Sequence, residues 1–177
     1  MSMASGDNTY WLDQNDRIVG VADGWDAFAT ENGGEAAAFR RIQEKPIREF
    51  IADDVTRMWF DVVLQLARIR QTPVERSYRC DTPACRRMMN MCLSVEPSGL
   101  IRVEHSLVAT TQRPHSVFIN HARYAEPGST FHTRCSICGR IQRGESWIEP
   151  DAGTAPGQPA LAVVYSVCQE CSLGILT

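Results

Sequence analysis

The residues best suited to chemistry are two cysteine pairs, Cys135-Ser-Ile-Cys138 and Cys168-Gln-Glu-Cys171, with 29 residues between them. A two-residue spacer lets each pair close a tight turn with both sulfurs converging, and four thiolates match the tetrahedral preference of zinc. Thiols gathered within a few ångström otherwise stay protonated or oxidise, so a divalent cation is what makes the pattern physically reasonable. Iron held by four thiolates is the chemical alternative. Gly139 follows the first pair and can take the left-handed backbone such a turn needs. His132 is a lesser candidate, as a substitute for one cysteine ligand.

Four cysteine ligands leave no open position for water or substrate, which makes the expected metal structural rather than catalytic. The chain carries no His-Glu-x-x-His, no deaminase His-x-Glu with Pro-Cys-x-x-Cys, no Gly-x-Ser-x-Gly and no glycine-rich phosphate loop. The expectation is therefore that the protein is not an enzyme. A thiol redox switch or oxidoreductase using the Cys-x-x-Cys pairs is the competing class. A nucleic-acid regulator is the third, and charge argues against it: Arg134, Arg140 and Arg143 face Glu145, Glu149, Asp151 and Glu170 around the pairs. A zinc tetrathiolate would add about −2 to that balance. The whole chain, with 18 Lys+Arg against 21 Asp+Glu, has a net charge of −3 and no bulk attraction for nucleic acid or anionic membrane.

The remaining cysteines are Cys80, Cys85 and Cys92, which makes the total seven, an odd number. The first residues have neither a basic start nor an apolar run, and the longest apolar stretch, Leu161 to Val167, is far too short to cross a bilayer. A reducing, cytoplasmic setting without membrane insertion is the expectation, with Cys80, Cys85 and Cys92 as packed or partly exposed thiols.

These residues need elements to position them. Tyr10 to Val21 reads as a hairpin around the polar turn Asp13 to Asp16, and Asp23 to Ala29 as a short helix stopped by Asn32-Gly-Gly. Ala36 to Arg41 gives another turn or two of helix. The clearest helix runs from about Asp53 to Arg70, with Val55, Met58, Trp59, Val62, Val63, Leu66 and Ile69 on one apolar face, acids at its start and arginines at its end. Beyond Pro73 the segments Val74 to Cys80, Met88 to Val95 and Leu100 to Thr110 read as an antiparallel sheet, and His115 to His121 as a further extended segment or connector. A boundary is placed near residue 127, where Glu126-Pro-Gly-Ser breaks the pattern, and the Gly- and Pro-rich loop Asp151 to Pro159 absorbs length between the cysteine pairs. The fold class is α+β.

Three stretches carry a resemblance: Asp23-Gly-Trp-Asp-Ala-Phe-Ala, Ile47 to Asp54, and Tyr78-Arg-Cys-Asp-Thr-Pro-Ala-Cys-Arg-Arg-Met-Met. From about Tyr10 to Thr111 the chain resembles the PAS domain, and the third stretch is similar to a segment of small bacterial PAS-like proteins that also carry a C-terminal pair of Cys-x-x-Cys motifs. The resemblance implies a PAS-like antiparallel sheet with flanking helices over residues 10–122, followed by a zinc-bound four-cysteine module over 127–177. It also implies a bacterial sensory or interaction role, a protein partner or homodimer, and room for a small-molecule ligand near Trp25, Trp59, Arg79 and Asp81. Nothing in the sequence asks for flavin, and His105, His115 and His121 read as hydrogen-bonded packing residues rather than haem ligands.

Overall fold

The computed structural model describes residues 8–31, 34–122 and 130–174. The chain divides into two compact units: the described residues of Met1–Ser77 with Met89–Leu107, and those of Tyr78–Met88 with Val108–Thr177. The junction near residue 127 between the expected spans 10–122 and 127–177 lies outside the described residues. Residues Tyr78–Met88 and those beyond Leu107 group with the cysteine pairs because their backbone and arginines are bonded there.

The first unit opens with strands β1 (Thr9–Leu12) and β2 (Ile18–Val21), antiparallel, as the hairpin pattern predicts. Helix α1 (Trp25–Glu31) follows, and its expected stop at Asn32-Gly33 lies outside the described residues. Short turns of helix come next, including α2 (Phe39–Ile42). The indole N–H of Trp25 donates to the Ala37 carbonyl at 2.8 Å, and its ring stands edge-on to Tyr10.

The long helix α3 (Asp54–Arg70) begins and ends for identifiable reasons. The Asp53 carboxylate accepts from the Thr56 backbone N–H at 2.8 Å, the N-cap bond that satisfies an orphan donor. At the other end Gln71 takes a left-handed conformation, φ 53°, and its N–H closes on the Ala67 carbonyl. The apolar arc is wider than one face. The structure buries Trp59, Phe60, Val63, Leu64 and Ala67, while Met58, Val62 and Ile69 of the expected face are 68%, 46% and 79% exposed. The aromatic half of the arc wins because its side chains remove more apolar area from water, about 25 cal/mol per Å2.

Strands β3 (Val74–Arg79), β4 (Cys85–Val95) and β5 (Ile101–Gln112) complete a five-stranded sheet of order β2-β1-β5-β4-β3. Strand β4 starts three residues earlier than expected, at Cys85 rather than Met88. Met89, Met91 and Leu93 on β4, and Ile101 and Val103 on β5, alternate into the first unit's core with Leu12, Ile18 and the buried side of α3.

His105 is half-buried at the margin of that core, its ring stacked on Tyr10 with Nε2 3.4 Å from the phenol oxygen. Burial lowers its pKa to about 4, so the folded protein holds it neutral. The unfolded chain binds the proton more tightly, near pH 6.5, so this contribution to stability is complete above that pH and is lost as pH falls towards the folded value. Between pH 7 and pH 5 the first unit should lose about 2 kcal/mol from this residue alone. Denaturant unfolding of wild type and His105→Phe at both pH values, followed by hydrogen exchange of Met89–Leu107, checks this; a difference between the two proteins that does not change with pH contradicts it.

The second unit contains a sheet that the sequence does not announce. Strands β6 (Ile119–His121), β7 (His132–Cys135), β8 (Ile141–Arg143), β9 (Ser146–Ile148) and β10 (Leu161–Ser166) are arranged β6-β10-β7-β8-β9. Strand β10 pairs in parallel with both β6 and β7, while β7, β8 and β9 are antiparallel neighbours. A five-residue helix α4 (Gln169–Leu173) follows. Among the described residues no helix is long and apolar enough to cross a membrane.

Candidate metal centre and its arginine–carboxylate support

Strand β7 delivers Cys135 at its end, and the chain then folds back on itself: the Gly139 N–H donates to the Cys135 carbonyl at 3.0 Å, and the Cys135 N–H to the Arg140 carbonyl at 2.8 Å. Gly139 has φ 71°, the left-handed conformation expected there. A Cβ on Gly139 would also stand 3.1 Å from Arg134 Nη2 and 3.3 Å from Asp81 Oδ2, so a side chain here would be strained by the backbone and would crowd both groups. Parallel pairing of β10 with β7 sets Ser166 beside Cys135, which brings the second pair to the first. Cys168 caps α4, and its backbone N–H donates to Cys135 Sγ at 3.4 Å.

The result is one cluster. The Sγ atoms of Cys135, Cys138, Cys168 and Cys171 all lie within 4.8 Å of one another, with Cys138 and Cys168 at 3.8 Å. Four sulfurs around a zinc at about 2.3 Å stand about 3.8 Å apart, so the donor set fits a tetrahedral metal in both kind and spacing. Cys135 and Cys168 are buried, Cys138 and Cys171 half-buried. A hydrogen bond from Cys138 holds the Cys135 thiol down at about 4, and the same bond pushes Cys138 up. Burial, then the bond to Cys168, pushes Cys171 up to about 12. Neighbouring thiols thus resist ionising together, and a divalent cation would supply the field that ionises them all.

No family model, curated protein or solved structure matches the chain.

The other sulfur and imidazole candidates lie elsewhere. His132 pairs within the sheet and is not among the four clustered ligands. Cys80 and Cys85 flank the turn between β3 and β4, where Cys80 Sγ accepts from Arg87 at 3.4 Å, and neither they nor Cys92 joins the cluster. Burial raises the pKa of Cys92. His115 is 3.0 Å from the Thr154 hydroxyl, and His121 meets the Tyr165 ring edge-on.

Of the four residues expected near a ligand pocket, Trp25 and Trp59 belong to the first unit and Arg79 and Asp81 to the second. Arg79 and Asp81 are joined by two hydrogen bonds of 2.7 Å, Nε to Oδ1 and Nη2 to Oδ2, the bidentate geometry that strengthens an arginine–carboxylate pair. They anchor a network that sequence reading misses. Arg113 Nη2 donates to Asp81 at 2.6 Å and its Nη1 to Asp151, which Arg86 also engages, while Arg79 reaches Glu149 at 3.2 Å. The Arg79 backbone N–H donates to the Ile137 carbonyl inside the first cysteine turn at 2.8 Å. These bonds are why Tyr78–Met88 and the chain beyond Leu107 group with the cysteines.

Asp151 was expected in a loop that only absorbs length, yet it is 7% exposed. Burial opposes its charge, but hydrogen bonds from Arg86 and Arg113 outweigh that and hold its carboxyl below the usual range. For Arg79, burial is likewise outweighed by Asp81 and Glu149, which raise its pKa. The one sequence signal for the network is the Arg79-x-Asp81 pair; Arg86, Arg113, Glu149 and Asp151 carry no local pattern.

Proposed function

We propose that the chain is a non-enzymatic, PAS-like sensor or protein-interaction protein of bacterial signalling, acting in the cytoplasm, whose second unit is built around a structural zinc site. The observation that carries the reading is the convergence of four sulfurs from two Cys-x-x-Cys turns to within 4.8 Å. Cys135, Cys138, Cys168 and Cys171 would hold the ion, which supplies cross-linking of β7, its turn and α4 rather than reactivity. The PAS-like part of the reading is supported by the element order: two strands, short helices, one long helix and three strands. With no catalytic constellation in the sequence, such a protein works by binding, through a second copy of itself or another protein.

Native mass spectrometry of the freshly purified full chain tests the reading. The expected spectrum has one zinc per chain and reports dimer formation directly. One iron per chain reassigns the metal and keeps its structural role. A metal-free mass with four freely alkylatable thiols in this cluster overturns the reading in favour of a thiol redox protein.

A further inference from the structure

The second unit contains a cavity of about 240 Å3 that the metal reading does not use, lined in part by Asp81, Arg113 and Arg134 and by Val117, Ile119 and Tyr165. Its polar lining is short of acceptors. The Arg113 side chain is 3% exposed and spends both η nitrogens on Asp81 and Asp151, but its buried Nε has no hydrogen-bond partner. A buried donor left unsatisfied is costly and rare in native proteins. Arg134 uses Nε on the Gly139 carbonyl at 3.1 Å, and its Nη2 stands 3.7 Å from Asp81 Oδ2, too far for a hydrogen bond. Its side chain is 15% exposed.

The charge count agrees. Among these side chains alone, Arg79, Arg86, Arg113 and Arg134 are four guanidinium groups against the three carboxylates of Asp81, Glu149 and Asp151, one cation in excess before the cysteine centre is counted. Arg140 has its own 3.0 Å partner in Glu170. The group without a good partner is Arg134, and a largely buried cation is costly unless paired.

We propose that this cavity binds a small organic monocarboxylate, with Arg134 as the principal partner of the carboxylate and Val117, Ile119 and Tyr165 against the apolar body. A guanidinium presents parallel N–H groups that suit a carboxylate or a phosphate. A single surplus charge with Asp81 alongside favours the monoanion over dianionic phosphate, and the apolar walls favour an organic one. The volume lies below the ~300–1,000 Å3 of drug-sized sites, which restricts the body to one ring or a short chain.

The test is calorimetric titration of the metal-loaded full chain with benzoate and butyrate, their neutral amides benzamide and butyramide, and inorganic phosphate. The expected result is saturable binding of at least one acid, about tenfold or more tighter than its amide. Arg134→Gln should erase that preference, and Arg140→Gln should keep it. Equal binding of acid and amide overturns the proposal and means that the negative cysteine centre already offsets Arg134. Phosphate binding as tightly as the acids overturns it as an adventitious ion only, and so does the absence of saturable binding by either acid. The comparison of acid with amide on wild-type protein decides the matter even where Arg134→Gln fails to fold.

Discussion

On the metal site proposed above, replacing Cys168 by serine should abolish metal binding and unfold the second unit while the first stays formed. Cys168 is 2% exposed and meets two of the other ligands, accepting Cys138 as a neighbour at 3.8 Å and donating its backbone N–H to Cys135. Structural zinc contributes about 10–16 kcal/mol of apparent folding free energy in small zinc-bound peptides, as much as the whole stability of an ordinary domain. A unit built from strands of three to six residues beyond the β3–β5 ends has little else to replace it. Hydrogen exchange read peptide by peptide gives a specific map. Protection should fall in Tyr78–Met88 and in the described residues of Val108–Thr177, and persist in Asp54–Arg70 and Met89–Leu107. Removing the proposed ion from the wild-type protein by chelation should give the same map. Loss confined to residues 130–174 would mean that the β3–β4 turn does not depend on the cysteine centre, and uniform loss would mean that the two units do not unfold separately.

That map could not have been drawn from the sequence, although the centre at its heart was legible there. Cys-x-x-Cys is a local pattern whose geometry is fixed by a turn, and Gly139 with its positive φ belongs to that turn. Helix α3 was legible for a similar reason, since Asp53 and the three- and four-residue spacing act within one or two turns. Which half of its arc is buried was not, because Met58, Val62 and Ile69 have the same period as Trp59, Val63 and Leu66. The second sheet escaped notice because β8 and β9 have three residues each, too few to show alternation, and β10 finds β6 and β7 by parallel pairing across long connections. The arginine–carboxylate network was illegible on principle: its bonds span 32, 38, 65 and 70 residues, and no local rule links Arg113 to Asp151.

The second large effect should come from Arg113→Met. In the folded protein Arg113 lies between Asp81 and Asp151, whose side chains are 5% and 4% exposed, and it is itself 3% exposed. Methionine keeps the stem and removes the charge, so two buried carboxylates lose a partner at once. Breaking a buried pair in this way typically destabilises by about 3–5 kcal/mol, and the lower end applies because Arg79 remains on Asp81 and Arg86 on Asp151. The exposed pair Arg140–Glu170, with Glu170 79% exposed, is the contrast: Arg140→Met should change stability by less than about 1 kcal/mol. Pairing Arg113→Met with Asp151→Asn separates the loss of an interaction from the stranding of a charge. If stranding dominates, the double variant regains part of what the single arginine change loses. Acid should act in the same direction. Because Asp151 titrates below its unfolded value, its stabilisation is present above about pH 4 and disappears as pH falls through the lower folded value. The gap between wild type and Arg113→Met should therefore narrow on acidification below that point. Denaturant unfolding of the purified proteins measures all of these quantities, and a loss below about 1 kcal/mol for Arg113→Met would place the network energetically with ordinary surface ion pairs.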